Sequence, residues 1–505
     1  MFFNVITLLL YMLAIVAISV YSRNRGRTTQ DFVLANRGMG AWMSAFAYGT
    51  TYFSAVIFVG YAGKFGWSYG LGAVWIGIGN AVIGSLIAWM LLARRTRELT
   101  NRLQVTTMSG FFEKRYLDGR LKLASAIIIF IFLLPYSASV YQGLAHAFEM
   151  VFGINFIWCV AIMAALTALY VFFGGYLGTA LSNFMQGIIM LIGVAAVTGI
   201  FVAQPQVGFD GLLELSRDGL GLFPQSTGGG LIDNNIFNLI IVVMLTSFGV
   251  WALPQVIHKY YAVKDSVAIK RATVISTLFA LVTGGGAYFI GGLGKLFLSE
   301  LPAGGYDVVM PTLLERYIPA GLLGLIVVML LSASMSTLSA LAISGSSSLA
   351  IDIYKGYINR DAQDNKVNLV MKVLCVVYIL ISALLAIAKI DAIVTLMSLS
   401  WGTLSGCFIG PYVLGLYSKR VTSAAAMASM IGGVAFTVAM VAILGSIYPN
   451  GDFTGIMAVI KGGIARAPLI GVLTMAFSMI ITPVVSAFTK KPDGKKVEEM
   501  FEGIN

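Results

Sequence analysis

The most constraining feature of this sequence is that its apolar residues are gathered into long runs, which charged residues interrupt only near the ends. Most runs reach roughly 20 residues, the length at which a helix crosses about 30 Å of bilayer hydrocarbon. Of the 505 residues, 58% are hydrophobic and only 11% are charged, whereas about one quarter of an ordinary soluble domain is charged. The sequence therefore predicts an all-α, multi-pass membrane protein whose main partner is the lipid bilayer.

Thirteen spans are predicted from the hydropathy and from the breaks between runs. Their limits are residues 4–21, 41–63, 71–93, 123–148, 156–176, 181–203, 234–257, 272–294, 319–350, 369–388, 392–417, 421–446 and 467–488.

The Lys and Arg residues predict the orientation of these spans. Alternate loops and the tail hold 26 of the 33 basic residues, beginning with Arg23, Arg25, Arg27 and Arg37 in the first loop. Cytoplasmic loops retain basic residues, so we expect the N-terminus outside, the C-terminus inside and a location in the plasma membrane of a prokaryote. The net charge of +11 follows this asymmetry and does not indicate nucleic acid as a partner.

Acidic residues are placed as selectively as basic ones. None of the 22 Asp and Glu residues lies at the middle of a predicted span, and His146 and His258 also lie near span ends. A charge at the bilayer centre costs ~2.5–3.5 kcal/mol on insertion scales, a cost that proton carriers often accept for a carboxylate relay. A proton pathway through a titrating group at the midplane is therefore not expected.

Two spans contain residues that weaken a helix at its middle. Span 2 reads GTTYFSAVIFVGYAG from Gly49 to Gly63, and span 7 reads TSFGVWALPQ from Thr246 to Gln255. Unwound helices expose backbone carbonyls at membrane depth, and many transporters place their binding sites there. Five crossings separate the two spans, so they point in opposite directions, as in an inverted repeat of five plus five spans.

This repeat divides the chain into six parts. They are 1–40 for the first span and its cytoplasmic loop, 41–204 for the first half, 205–233 for an extracellular loop, 234–420 for the second half, 421–489 for two C-terminal spans and 490–505 for a cytoplasmic tail.

Span 9 contains an unusually hydroxyl-rich segment, SASMSTLSALAISGSSS, at residues 332–348. Small residues at four-residue spacing let membrane helices pack closely, and that role accounts for most of these hydroxyls. Ser336 and Thr337 allow a second interpretation, because adjacent hydroxyls and backbone carbonyls can replace part of the water shell of a hard cation such as sodium.

Motifs along nearly the whole chain resemble those of the sodium:solute symporters, most closely the sodium/proline and sodium/pantothenate branches. They are FVGYAG after the span 2 break, PQVIHKYYAVKD at the inner end of span 7, ASMSTLS followed by DIY in span 9, and GPYVLGLYSKR in span 11. The resemblance implies a LeuT-like inverted-repeat fold, Na+ as the coupling ion, no enzymatic activity and a functional monomer.

The resemblance also implies two sets of site residues. The sodium ligands would be the backbone carbonyls of Thr50, Phe53 and Ala333 and the hydroxyls of Ser336 and Thr337. The solute contacts would be Ser54, Ile57, Phe58, Trp75, Ile76, Tyr136, Gln142, Trp251, Ser400 and Thr403. For Trp75 and Trp251, a packing or interfacial role is equally open.

Two departures from the family pattern narrow the expected number of sodium ions and the expected class of solute. Many members have Asp in span 6 where this chain has Asn183, so we expect one coupled sodium. Positions that contact sugar in sugar-transporting members are Ile57 and Ile76 here. A polyol needs paired hydrogen-bond donors and acceptors, so these apolar residues disfavour a hexose.

We therefore expect sodium-coupled uptake of a small organic solute, such as proline or a monocarboxylate resembling pantothenate, by alternating access. A proton-coupled carrier or exchanger of the same fold and a sodium/sugar-type symporter, including one for sialic acid, stay open as alternatives. A channel also stays open. A membrane enzyme or a sensor is disfavoured, because the sequence presents no constellation of His, Asp and Glu and no output domain.

Overall fold

The computed structural model describes residues 2–22, 34, 37–226 and 234–503. Arg23, Arg25 and Arg27, residues 227–233 of the predicted extracellular loop and the last two residues of the predicted tail lie outside this part. The described residues form helices and connecting turns, and the one β-bridge among them joins Met39 and Val263. The all-α fold expected from the sequence is thereby confirmed.

The helices run in chain order from the first predicted span to the tail. The first are α1 Phe2–Ser22, α2 Ala41–Tyr52, α3 Ala62–Tyr69, α4 Val74–Gly79, α5 Arg94–Arg102, α6 Met108–Tyr116, α7 Gly119–Phe152 and α8 Phe156–Val202. There follow α9 Phe209–Arg217, α10 Asn235–Gly249, α11 Pro254–Tyr261, α12 Ser266–Gly292, α13 Gly294–Phe297, α14 Val309–Tyr317, α15 Leu323–Ser347 and α16 Asp364–Ile387. The last are α17 Ile393–Ile409, α18 Gly415–Tyr417, α19 Ser423–Ile447, α20 Gly455–Ile464, α21 Ala467–Phe488 and α22 Gly494–Phe501.

Within the described ranges, 11 helical stretches are long and apolar enough to cross a membrane. This number treats Val56–Arg102 as one stretch, because π-helical and 3₁₀ turns join α3, α4 and α5 without a gap. The backbone of Gly70 is left-handed, with a φ of +57°. A Cβ at this position would overlap the Leu220 carbonyl. Only glycine adopts such a conformation readily, so this residue marks the boundary between predicted spans 2 and 3.

Both predicted helix breaks are confirmed. The first helix, α2, ends at Tyr52; Phe53 is extended, with φ −97° and ψ 90°, and the helix resumes after Ser54. In span 7, α10 ends at Gly249, a 3₁₀ turn follows, and Leu253 is extended before Pro254 starts α11. Proline suits the first position of a helix because its missing N–H needs no partner there.

The hydroxyl-rich helix α15 lies at the centre of the molecule. Every residue from 326 to 348 is buried, and the helix packs against α1, α2, α7, α8 and α16. By contrast, α19 exposes Ile431, Val438 and Ile443. Such apolar exposure is expected of a helix that faces lipid.

Candidate functional site

The site is built where α15 passes the break in span 2. Ser336 and Thr337 have no exposed surface, and the hydroxyls of both donate to the carbonyl oxygen of Thr50, at 3.0 and 3.1 Å. Each hydroxyl also lies 3.1 Å from the carbonyl oxygen of Ala333, one turn earlier in the same helix. Two helices distant in sequence therefore bring four oxygens together.

Local structure explains why the carbonyl of Thr50, and not its side chain, faces this cluster. The Thr50 hydroxyl is directed back along its own helix, to the carbonyl of Phe46 at 2.8 Å. Its carbonyl lies in the last turn of α2, where the next turn of helix is missing because Phe53 is extended. Carbonyls at a helix end have no partner within the helix and are free to accept bonds from other groups.

The oxygen cluster fits sodium by its chemistry. All of its groups are neutral and hard, and they are carbonyls and hydroxyls of the kind that coordinate monovalent cations in membrane proteins. Phe53, the fifth predicted ligand, is fully buried and is the first residue of the break, three positions beyond Thr50. Thr50, Phe53, Ala333, Ser336 and Thr337 are therefore the residues that could hold the ion.

Tyr136 and Ser54 form the best-defined part of the predicted solute site. The Tyr136 hydroxyl lies beside Ser54 and the indole of Trp401. In the described part of the chain, neither this hydroxyl nor the Trp401 indole N–H has a hydrogen-bond partner. The two rings stand almost perpendicular, with centroids 5.6 Å apart. Buried polar groups are normally paired, so these two could bond a solute.

Trp401 and Asn80 are candidate site residues that sequence reasoning missed. The Tyr52 hydroxyl donates to the Thr246 carbonyl at 2.7 Å, and the Thr246 hydroxyl donates to Asn80 at 2.8 Å. These bonds connect the end of α2 with the span 7 break and with span 3. A signal was present: Asn80 is the lone amide within an apolar run, and Trp401 stands between Ser400 and Thr403.

Three other predicted solute residues direct their polar side-chain groups to backbone carbonyls. Trp75 is 39% exposed and donates to the Leu222 carbonyl at 2.9 Å, beneath the predicted extracellular loop. The Trp251 indole donates to the Ile83 carbonyl at 3.1 Å, and Gln142 donates to Ala386 at 3.4 Å. For the two tryptophans, these contacts favour the packing role that the sequence left open.

The remaining predicted residues are buried close to these elements. Ile57 and Phe58 begin the outer half of span 2, where both backbone amides donate to the Ser54 carbonyl, and Ile76 is buried in span 3. The hydroxyls of Ser400 and Thr403 donate to backbone carbonyls, those of Phe132 and Leu399.

Comparison with known proteins agrees with this architecture. The model of the sodium:solute symporter family matches residues 32–433. The osmoregulated proline transporter OpuE of Bacillus subtilis is 28% identical, over 97% of this chain and 95% of its own length. Sodium/proline symporter 2 of Staphylococcus saprophyticus is 26% identical, over 96% and 93%.

Solved structures show the same fold. A sodium-coupled sialic acid symporter in a substrate-bound, outward-open state superposes with a TM-score of 0.78 at 18% identity, over 98% of this chain and 99% of that one. With the family match over residues 32–433, the chain belongs to the sodium:solute symporter family, and it is a multi-pass plasma-membrane transporter, not an enzyme, that couples sodium to the symport of a small solute.

Proposed function

We propose that the protein carries one sodium ion together with one small carboxylate-bearing solute, proline or a monocarboxylate resembling pantothenate, into the cell. The observation that carries this proposal is the convergence of Ser336 and Thr337 on the carbonyl of Thr50. Thr50, Phe53, Ala333, Ser336 and Thr337 would be the sodium ligands. The proline transporters among its relatives support the solute class.

Coupling follows from the position of the ion between two separate elements. Sodium entering from outside would draw the end of α2 and the middle of α15 together. Because Ser54 lies just beyond the last turn of α2, the same movement would fix Ser54 against Tyr136 and Trp401. Rocking of the broken helices against the surrounding spans would then open the site to the cytoplasm.

The stoichiometry of one sodium is supported by Asn183. Its side chain is 1% exposed, and within the described residues neither of its polar atoms has a hydrogen-bond partner. Many family members have Asp at this position, and Asn183 lacks the carboxylate through which such members would bind or couple a second sodium. We therefore expect one ion for each solute.

The architecture we propose has thirteen spans in a monomer. Besides the 11 stretches described above, α1 and the inner half of span 2, α2, would enter the membrane. Residues 41–204 and 234–420 would be the inverted halves, with the N-terminus outside and the C-terminus inside. The direct bond between Tyr52 and the carbonyl of Thr246 supports this pairing of the two broken helices.

Uptake into proteoliposomes tests the function. With an imposed sodium gradient, L-proline or pantothenate should accumulate, and initial rates should depend on sodium with a Hill coefficient near 1. A pH gradient without sodium is the control, because it would drive a proton-coupled carrier of the same fold. Uptake that responds to the pH gradient alone, or to a counter-loaded solute alone, would contradict the proposal in favour of the proton-coupled or exchange alternative.

A further inference from the structure

A cavity of about 330 Å³ opens in the outer half of the molecule, away from the break. Three elements line it: α3, the start of α10 and the residues that lead into α21. Its wall contains two cationic side chains, Lys64 and Arg466, together with Asn238 and the rings of Phe65 and Tyr69. These cations are two of the seven basic residues that the orientation prediction assigns to the extracellular side.

Neither cation forms a direct ion pair among the described residues. In the described part of the chain, no Asp or Glu oxygen comes within 4 Å of Lys64 or Arg466. Asp307 and Asp391 act electrostatically on Lys64 without contacting it. Asp391 pairs with Lys461 at 2.8 Å, and Asp307 accepts the backbone N–H of Ile393 at 3.2 Å.

Arg466 is held in place by groups that leave its charge intact. Its guanidinium lies 4.1 Å from the centroid of the Tyr448 ring and donates to the Gly462 carbonyl at 3.1 Å. An arginine fixed in this way presents a planar set of donors, which suits the two oxygens of a carboxylate.

The cavity is connected to the break by the outer half of span 2. Lys64 stands ten positions beyond Ser54, about 15 Å along a helix at 1.5 Å per residue. Aromatic rings follow the same face: Tyr61 and Phe65 meet edge to face at 5.3 Å between centroids, and Phe65 and Tyr69 stack at 5.8 Å. Tyr61 in turn bonds Ser398, at 2.6 Å, on the helix that carries Trp401.

We infer that this cavity is an outer binding site for the carboxylate of the solute, which Lys64 and Arg466 hold before the solute moves to the break. The inference rests on the proposed function and deepens it, since it requires that the solute bear a carboxylate. The central site described above presents neutral groups, so the outer cations select for charge and the inner groups for shape.

Direct binding tests the cavity without knowledge of the natural solute. Saturation-transfer NMR on the purified protein in sodium-free buffer would use propionate as the probe and propionamide as its neutral match. The wild type should bind propionate at least fivefold more strongly than propionamide, and K64Q/R466Q should lose this preference. The control K295Q removes an extracellular charge outside the cavity and should keep it. Equal binding of the two probes by the wild type, or an unchanged preference in K64Q/R466Q, would overturn the inference.

Uptake measurements then test the role of Lys64 and Arg466 in transport. For K64Q/R466Q, the half-saturating concentration of L-proline or pantothenate should rise about tenfold, which corresponds to ~1.4 kcal/mol. The maximal rate and the sodium requirement at saturating solute should not change, and K64R/R466K should recover most of the loss. If loss of the Arg466 contacts impairs folding, the single variant K64Q replaces the double variant in this measurement. Equal shifts in K295Q would contradict the role.

Two further comparisons distinguish a carboxylate site from a lipid site, and failure of this inference from failure of the proposed function. Vesicles of phosphatidylcholine alone exclude an anionic lipid, so a shift seen only when phosphatidylglycerol is present would assign the cavity to a lipid headgroup and overturn the inference. If the wild type shows no sodium-driven uptake of any carboxylate, the proposed function fails, while the propionate measurement still decides whether the cavity binds carboxylates.

Discussion

At the scale of single residues, neighbouring hydroxyls on one helix have different partners. Ser334 bonds only the carbonyl of Leu330, within its own helix. Ser336 and Thr337, two and three positions further, reach across to Thr50 on another helix. Composition does not distinguish these residues, because the direction of each hydroxyl depends on the face of α15 and on what packs there.

The first prediction concerns this pair. S336A and T337A should each raise the half-saturating sodium concentration ten- to a hundredfold at saturating solute, because loss of one oxygen ligand to a cation costs ~1.5–3 kcal/mol. Sodium-dependent initial rates in proteoliposomes are the measurement.

The matched control for this pair is S334A, which removes a buried hydroxyl of the same helix. It should leave the sodium requirement within about twofold of the wild type, since the Ser334 bond is local. If S334A shifts the sodium requirement as far as S336A does, the effect belongs to the packing of α15 and not to the ion.

The second prediction concerns Tyr136. Y136F removes a buried hydroxyl that has no hydrogen-bond partner in the described part of the protein, so folding should be unaffected. The half-saturating solute concentration should rise about fivefold to tenfold, because a hydrogen bond to the solute contributes ~1 kcal/mol or somewhat more. Y141F, on the same helix, is the control: its hydroxyl lies near Thr167, away from Ser54. Unchanged solute affinity in Y136F would remove Tyr136 from the solute site.

At the scale of helices, small residues determine how closely the broken span packs. A Cβ at Gly66 of α3 would overlap the backbone of Gly291 in α12, whereas a Cβ at Gly285, also in α12, would meet nothing within 4 Å. Helix α3 therefore lies against α12 with backbone almost touching backbone.

The third prediction follows from this contact. G66A should destabilise the protein by ~1–3 kcal/mol or more, because added volume in a close-packed contact forces the two helices apart. Thermal unfolding in detergent, followed by size-exclusion chromatography, should show a lower midpoint. G285A should unfold within a degree or two of the wild type. Equal stability of G66A and the wild type would show that α3 can move away from α12 without cost.

The elements were more predictable than the positions of individual side chains. Gly49 and Pro254 lie close to the two breaks, and helix propensity alone locates both breaks to within a few residues. Trp75, Trp251 and Gln142 are buried or exposed by contacts with segments far away in sequence, and no local pattern contains that information. The unpartnered indole of Trp401 was missed for the same reason.

At the scale of the whole molecule, the ion and the solute cross the membrane together, so net charge determines how voltage acts. One sodium with zwitterionic proline moves one positive charge, and 100 mV is worth about 2.3 kcal/mol for that charge. One sodium with a monocarboxylate anion moves no net charge.

The fourth prediction uses this difference. With L-proline, an inside-negative potential of 100 mV should raise steady-state accumulation about fiftyfold over the same vesicles at zero potential, since tenfold corresponds to ~1.4 kcal/mol. Valinomycin with a potassium gradient sets the potential, and radiolabelled proline is counted. Equal potassium on both sides is the control. Proline accumulation that does not change with the membrane potential would contradict symport of one sodium with a neutral solute.

The hydrogen bonds at the span 2 break also bear on how fast the transporter can work. The hydroxyls of Ser336 and Thr337 lie within hydrogen-bond distance of the carbonyls of Thr50 and Ala333, so a cation bound at the proposed site would replace these hydrogen bonds with its own coordination. The gain on arrival is correspondingly modest, and a site must hold its ion weakly enough to let it leave. In the proposed cycle the hydroxyls would bond these carbonyls again when the ion leaves, which would favour release of the ion into the cytoplasm.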